Sequence, residues 1–459
     1  MSTPPVAPKQ PYLLTQHGRT RRDDYYWLRD RDNPATLEYL KAEKAYLDQV
    51  MAHTAGLQET LQAEMKARIP ESDRSAPLPR GPYIYYTRIE PGQEYPVYCR
   101  KSIEGKGTEE ILLDQNELAA GQPYCGLGAF ETSPDHTRLA YLLDNAGGET
   151  FILYVKDLRT GELLPDQIPN TSGYLGGRTG LAWAQDNQTI YYTTLDDAHR
   201  PYRLYRHRLG ANPTQDELVY EETDITYGMY ITPSRSMSYL WVNLHSTSSD
   251  EVRFLSLADP NAPLLVVAPR QPLIEYSVDD PGNGCLMILT NDGAPNFRLV
   301  SVPLVDLRRE SWKEILPNQP DVTLETALAF RHALVVIERS DGLRKIRLSA
   351  PDGQTGARYV SMPEPAYTIR PDLNPEFDTR EFRFLYTSLV TPLSVVDYDL
   401  EANLWTTRKV EEVASGYDAS RYVTERIFAL APDGQRVPLS LVYRKDLRLA
   451  GPSPLVLYG

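Results

Sequence analysis

Between about residues 75 and 412 the chain repeats one unit, strand–turn–strand–turn–strand, at roughly 45–50-residue intervals, and this period limits the fold more than any other feature. YIYYTR (83–88) and YPVYCRKS (95–102) read as a hairpin, as do RLAYLLD (138–144) with TFILYVKDL (150–158) and TIYYTTLD (189–196) with YRLYRHRL (202–209). SYLWVNLHS (238–246) with EVRFLSLAD (251–259), CLMILTNDG (285–293) with FRLVSVPL (297–304), ALVVIERSDG (333–342) with LRKIRLSA (343–350), and REFRFLYTSLVTP (380–392) with LSVVDYDL (393–400) continue the scheme. Several innermost strands share a rough signature, seen in Phe130…Ser133-Pro134-Asp135, Trp183…Asp186 and Ile231-Thr232-Pro233-Ser234. One such unit cannot bury both its faces, whereas a closed ring lets each unit cover the next. Counting the units gives a mainly β fold with a seven-bladed β-propeller. A pair of β-sandwiches is the alternative, and the even spacing and three-to-four-strand groups speak against it.

Composition agrees with many short strands. There are 31 tyrosines against 9 phenylalanines, a bias suited to pleated, half-buried surfaces. The 37 prolines, with frequent Asp-Gly and Pro-Asp pairs, supply the turns. The net charge of −14, without a basic block, argues against nucleic acid or an anionic membrane as partner. Three scattered cysteines, Cys99, Cys125 and Cys285, suit a reducing compartment and no metal site. No apolar run is long enough to span a bilayer and the first residues lack a signal-peptide core, so a soluble, cytoplasmic protein is expected. The Asn170-Thr-Ser and Asn187-Gln-Thr triplets are then chance matches to a glycosylation signal.

Two stretches break the β pattern. Over 33–69 the spacing predicts two helices: Asn33 caps, Pro34 opens the first, and Leu37, Leu40, Tyr46, Leu47 and Val50 share one face. Gly56 is expected to interrupt, with Leu57, Leu61 and Met65 on the second helix and Pro70 ending it. The preceding Tyr25-Tyr26-Trp27-Leu28 is aromatic enough to require docking. After 412, RYVTERIFALAPDGQRVPLSLVYRK (421–445) reads as a longer hairpin around Asp433-Gly434, and PSPLVLYG (452–459) as a strand buried on both faces. That order is how an α/β sheet begins.

Chemistry is scarce in the sequence. The G-x-S-x-G nucleophile elbow is absent, including from the glycine-flanked stretch 173–180. The seven histidines (17, 53, 136, 199, 207, 245 and 332) form no metal-binding spacing and read as surface or turn residues. The acidic pairs Asp23-Asp24, Asp196-Asp197, Glu221-Glu222 and Asp279-Asp280 read as solvated turn acids, because adjacent strand residues point to opposite faces and cannot share a substrate.

A set of ordered strings nevertheless resembles a known family. HGRTRRDDYYWLRDRDNPATLEYLKAEKAYLDQVMA (17–52), GQEYPVYCRK (92–101), SPDHTRLAYLLDNAGGETFILYVKDLRTGE (133–162), RLYRHRLG (203–210) and TERIFALAPDGQRVPLSLVYRK (424–445) are similar to the oligopeptidase B branch of the prolyl oligopeptidase family of serine peptidases. The resemblance implies a seven-bladed propeller gating an α/β-hydrolase domain that cuts oligopeptides after Arg or Lys. It implies a helical extension at 1–74 packed on the hydrolase domain, a propeller at 75–412, and the first strands of an incomplete hydrolase domain at 413–459. It also implies that the family's serine, aspartate and histidine, and the acids holding the substrate's basic side chain, lie downstream of the stretch matching 452–459. So does the tyrosine that would follow Gly459 and help bind the oxyanion. No catalytic, cofactor-binding or metal-binding residue is assigned within 1–459, no cofactor is expected, and the fragment alone is expected to be inactive. A free-standing peptide- or protein-binding propeller is the other reading, which residues 413–459 disfavour. A propeller glycosidase lacks suitably placed acids. Oligomeric state is not set by any of these features.

Overall fold

Each repeat does fold as antiparallel strands laid side by side in chain order. A computed structural model describes residues 3–105, 107–173, 179–414, 416–448 and 451–459. The chain divides into two compact units, one of residues 1–70 with 413–416 and the other of 71–412 with 417–459.

Among its described residues the larger unit holds six sheets of four or more strands in chain order, besides a two-stranded hairpin near the end of the chain. We label them A (residues 73–114, five strands), B (126–221, eight), C (228–266), D (276–316), E (323–359) and F (367–410), the last four having four strands each. The ladders overturn the seven-bladed expectation, because five sheets stand separately whereas 126–221 is one continuous eight-stranded sheet. The fusion has a local cause. Strand Leu163–Ser172 runs ten residues, with register shifts against Thr150–Asp157, and at its far end Thr171 pairs with Thr194 of Thr189–Leu195. Ser172 Oγ to Thr193 Oγ1 (3.1 Å) and Asn170 Nδ2 to the Leu195 carbonyl (3.1 Å) close the same seam.

Burial along the strands shows what holds the sheets together. Middle strands such as Arg138–Asp144 and Leu334–Ser340 are buried on nearly every residue, so both of their faces are covered. Outer strands such as Trp405–Val410 are largely exposed. Apolar clusters are shared between neighbours: Leu112 and Leu113 of A with Leu139 and Tyr141 of B, Tyr191 and Leu204 of B with Leu240 and Val242 of C, and Trp241 and Phe254 of C with Leu286 and Ile288 of D. Leu289 and Leu299 of D pack with Leu334 and Val336 of E, and Phe330 and Ile346 of E with Phe382 and Phe384 of F. Between F and A the ties are polar, with Lys409 Nζ on Asp73 (2.6 and 2.7 Å) and on the Arg74 carbonyl (2.8 Å).

Strands Tyr422–Leu430 and Arg436–Arg444 form the expected hairpin, paired only with each other. Arg426 donates to the Asp341 carbonyl, and a Cβ on Gly342 would lie 3.3 Å from Pro438, so the hairpin rests on the tight turn of sheet E. Both Asp341 (φ 51°) and Gly342 (φ 74°) are left-handed there, as a two-residue hairpin turn requires. The expected α/β-hydrolase strand is not formed. Residues 452–459 make no ladder, and Leu455, Val456, Leu457 and Tyr458 are exposed. An apolar run becomes a strand only beside a partner strand, and no described residues supply one.

The smaller unit contains a hairpin (Tyr12–Gln16 with Arg19–Asp23), a 3-10 turn Tyr26–Arg29, and helices α1 (Pro34–Met51) and α2 (Ala55–Lys66). The aromatic run docks as expected: Trp27 is buried with Nε1 donating to the Pro8 carbonyl (3.0 Å), and Tyr26 stacks on Tyr12 at 4.0 Å. The helix break falls earlier than Gly56, at a 3-10 turn Ala52–Thr54. There the Thr54 hydroxyl donates to the Met51 carbonyl and the His53 ring meets the Val50 carbonyl, so side chains compete for the helix's own acceptors.

Candidate functional site

Where the sheets' loops gather, three of them line an open cleft of about 420 Å³. They are the loop from B into C (Asp224, Thr226 and Tyr227), the turn between the second and third strands of C (Ser246–Ser249), and the loop from C into D (Arg270, Gln271 and Pro272). The first loop is held by Arg200, whose Nη1 donates to the carbonyls of Glu222 (3.2 Å), Asp224 (3.2 Å) and Tyr227 (2.8 Å) while Nε binds Asp196 (2.9 Å). The serine turn closes on itself. Ser246 Oγ accepts from the Ser249 amide (3.1 Å), and Tyr227 Oη meets Ser249 Oγ at 2.5 Å.

Arg270 is the centre of the cleft wall. Its guanidinium lies 3.9 Å from the centre of the Tyr227 ring, and it binds the buried carboxylates of Glu222 (2.5 Å) and Glu251 (3.4 Å). Burial alone would raise the Glu251 pKa, but Arg270 and Arg253 outweigh it and hold the group below the ordinary carboxylate value. Asp224 is likewise lowered, chiefly by hydrogen bonds from the Thr226 amide and hydroxyl. These acids stay ionised near neutral pH, which suits binding rather than proton transfer. The wall offers hydroxyls and the carboxylate of Asp224, groups able to hydrogen-bond a polar ligand.

No nucleophile is activated here. His245 beside the cleft pairs through Nδ1 with Asp250 (2.6 Å), but the Ser246 and Ser249 hydroxyls bond to each other (3.0 Å) instead of to a base. The other histidines scatter. His17 and His199 sit at left-handed turn positions, His53 lies in the 3-10 turn after α1, and His332 lies 3.4 Å from Asp378. His136 meets the Tyr85 hydroxyl at 2.6 Å, and its pKa falls to about 4 through burial and then the charges of Arg80 and Arg100.

Two expectations need correcting. His207 is wholly buried, its Nδ1 2.7 Å from Asp216 and its Nε2 2.9 Å from Asp166. In the sequence it reads as a surface residue, because one inward position in YRLYRHRL looks like any other polar site. The acids Glu222 and Asp280 are also buried rather than solvated, the first against Arg270 and the second against the Ser236 hydroxyl. Adjacent acids do point apart, since Glu221 binds Arg203 whereas Glu222 binds Arg270. Arg270 belongs to no sequence motif, and its position directly after the apolar run LLVVAP is the one local signal that marks it. Of the glycine-flanked stretch, 174–178 lies outside the described residues.

Comparison with known proteins places this architecture. Residues 4–411 match the family described as prolyl oligopeptidase, N-terminal beta-propeller domain. The chain is 35% identical over 460 residues to Protease 2 of Moraxella lacunata, across 99% of this chain and 65% of that protein. It is 36% identical over 480 residues to dipeptidyl aminopeptidase BI of Pseudoxanthomonas mexicana, across 100% of this chain and 65% of that protein. The solved structure of oligopeptidase B from Leishmania major superposes with a TM-score of 0.88 at 31% identity, covering 99% of this chain and 67% of that one. The chain thus spans about 65% of the length of these curated relatives. A ring of antiparallel sheets without an activated nucleophile among its described residues, matched from end to end by such relatives, belongs to the prolyl oligopeptidase family of serine peptidases, whose N-terminal β-propeller domain this chain carries.

Proposed function

We propose that the chain is the gating part of an oligopeptidase B-like serine endopeptidase that acts on oligopeptides and cuts after Arg or Lys. The observation that carries this reading is the ordered 35% identity to Protease 2 over 99% of the chain, together with the fold match to oligopeptidase B. In this reading residues 75–412 form the ring that admits peptides and excludes folded proteins. Residues 1–74 dock on a hydrolase domain that 413–459 begin. No member of the Ser-His-Asp triad lies within 1–459, and no cofactor takes part. A cytoplasmic location accords with three free cysteines, of which Cys99 and Cys125 are buried.

The 36% identity to a dipeptidyl aminopeptidase supports a second reading, removal of dipeptides from a free amino end. Incubating the purified chain with amino-blocked Arg and Lys esters tests the first reading's chemistry, and no turnover is expected. Turnover abolished by a serine-directed inhibitor would overturn it. Cleavage of blocked peptides by the activity isolated from source cells favours the endopeptidase, and a strict need for a free amino end favours the second reading.

A further inference from the structure

One end of the ring is occupied by a segment that the gating role does not account for. In each sheet the turn joining the first and second strands lies at one end, and the turn joining the second and third lies at the other, because the strands alternate in direction. The cleft's serine turn and the Asp341-Gly342 turn lie at the second end. At the first end the corresponding turns are short, such as 234–238 in C and 330–333 in E. In F the chain instead takes residues 372–380, DLNPEFDTR, to get from Tyr367–Pro371 to Glu381–Ser388.

That segment touches four other sheets. Glu376 accepts from the Gly81 amide of A (2.6 Å). The Phe377 ring packs on Gly282 of D, where a Cβ would come within 2.9 Å of it, and its carbonyl accepts from the Arg331 amide of E (3.0 Å). Asp378 pairs with the Arg331 guanidinium (2.8 Å). From C, Arg235 donates Nε to the Asn374 carbonyl (3.0 Å) and Nη1 to Asp279 of D (2.8 Å) and the Ala329 carbonyl of E (3.0 Å). Neighbouring sheets share apolar clusters from A round to F, so A flanks F on one side while D and C are two and three sheets away on the other. A short loop reaches all of these only by lying over the centre of the ring. Between the segment and sheet A, a shallow depression lined by Leu78, Asn374 and Asp397 is only about 40 Å³.

We propose that residues 372–380 are a fixed plug, pinned by Arg235, that shuts this end of the ring to peptides. The closure follows from the contacts alone, and only the consequence for peptides rests on the gating reading. The pin suits its task. An arginine fork binds a carboxylate and two carbonyls at once, on three different sheets, which a lysine point charge cannot do.

Amide exchange on the full 459-residue chain tests this, with the Gly81 and Arg331 amides as reporters because both donate to the plug. In the parent both should exchange at least a hundredfold more slowly than in an unstructured peptide. Arg235→Ala should accelerate both tenfold or more while strand Leu334–Ser340 is unchanged. If Arg235→Ala unfolds the chain, Phe377→Ala, which touches only the plug's seat, should give the same selective acceleration. A glutamate-specific protease should spare Glu376 in the parent and cut it at least tenfold faster in either variant. Free-peptide exchange at Gly81 and Arg331 in the parent, prompt cutting at Glu376, or no change in either variant overturns the plug. None of these readouts depends on peptidase activity.

Discussion

At the residue scale, two histidines set opposite pH limits. With both ring nitrogens facing carboxylates, His207 must donate twice and is held as an imidazolium. Burial alone would lower its pKa, but the hydrogen bonds and charges of Asp216 and Asp166 outweigh this and raise it. A raised histidine pKa contributes stability that is whole below the unfolded value of 6.5 and is lost as pH climbs through the folded value. His136 is the reverse case: with a folded pKa of about 4 it penalises the fold as pH drops from 6.5 toward 4. Melting followed against pH should therefore fall off on both sides of neutral. His207→Gln should flatten the alkaline limb while costing about 3–5 kcal/mol at pH 6, the range for breaking a buried ion pair. An NMR titration should find the His136 ring still neutral at pH 5.5. Neither histidine could be ranked from its sequence neighbours, since the partners lie 9, 41 and 51 residues away.

At the element scale, local signals specify caps and hairpins but not how neighbouring repeats join. Asn33 caps α1 through its side chain, which accepts from the Ala35 amide (2.9 Å), and Pro34 follows at the first turn. Asn33→Ala should cost about 1 kcal/mol, measurable by urea unfolding. Every named hairpin forms, because strand alternation and turn residues are properties of a few neighbouring positions. The blade count failed where two repeats join through one pair, Thr171 with Thr194, an event no local pattern encodes. The terminal hairpin, Tyr422–Leu430 with Arg436–Arg444, is two-stranded and mostly half-buried or exposed. Its amides should exchange at least a hundredfold faster than those of Leu334–Ser340, which mass spectrometry would resolve.

At the scale of the whole molecule, apolar seams and polar seams should differ in strength. Phe382 is fully buried in the cluster shared by E and F, so Phe382→Ala should cost about 3–5 kcal/mol. Lys409 bridges F and A at a partly exposed site, and Lys409→Ala should cost about 1 kcal/mol or less. Denaturant titration of both variants checks the contrast. Equal costs would mean the F–A seam is held by more than its ion pair.

The sequence by itself determined the repeat, the hairpins, the helix cap and the family, because each rests on the order of residues along the chain. Tertiary structure decided the rest. Whether neighbouring repeats stay separate, which charges are buried, and whether LVLY at 455–458 becomes a strand all depend on partners distant in sequence. Tertiary packing turned His207, Glu222 and Arg270 from ordinary polar residues into members of shielded ion pairs, since a charge leaves water only where an opposite charge is already in place to receive it.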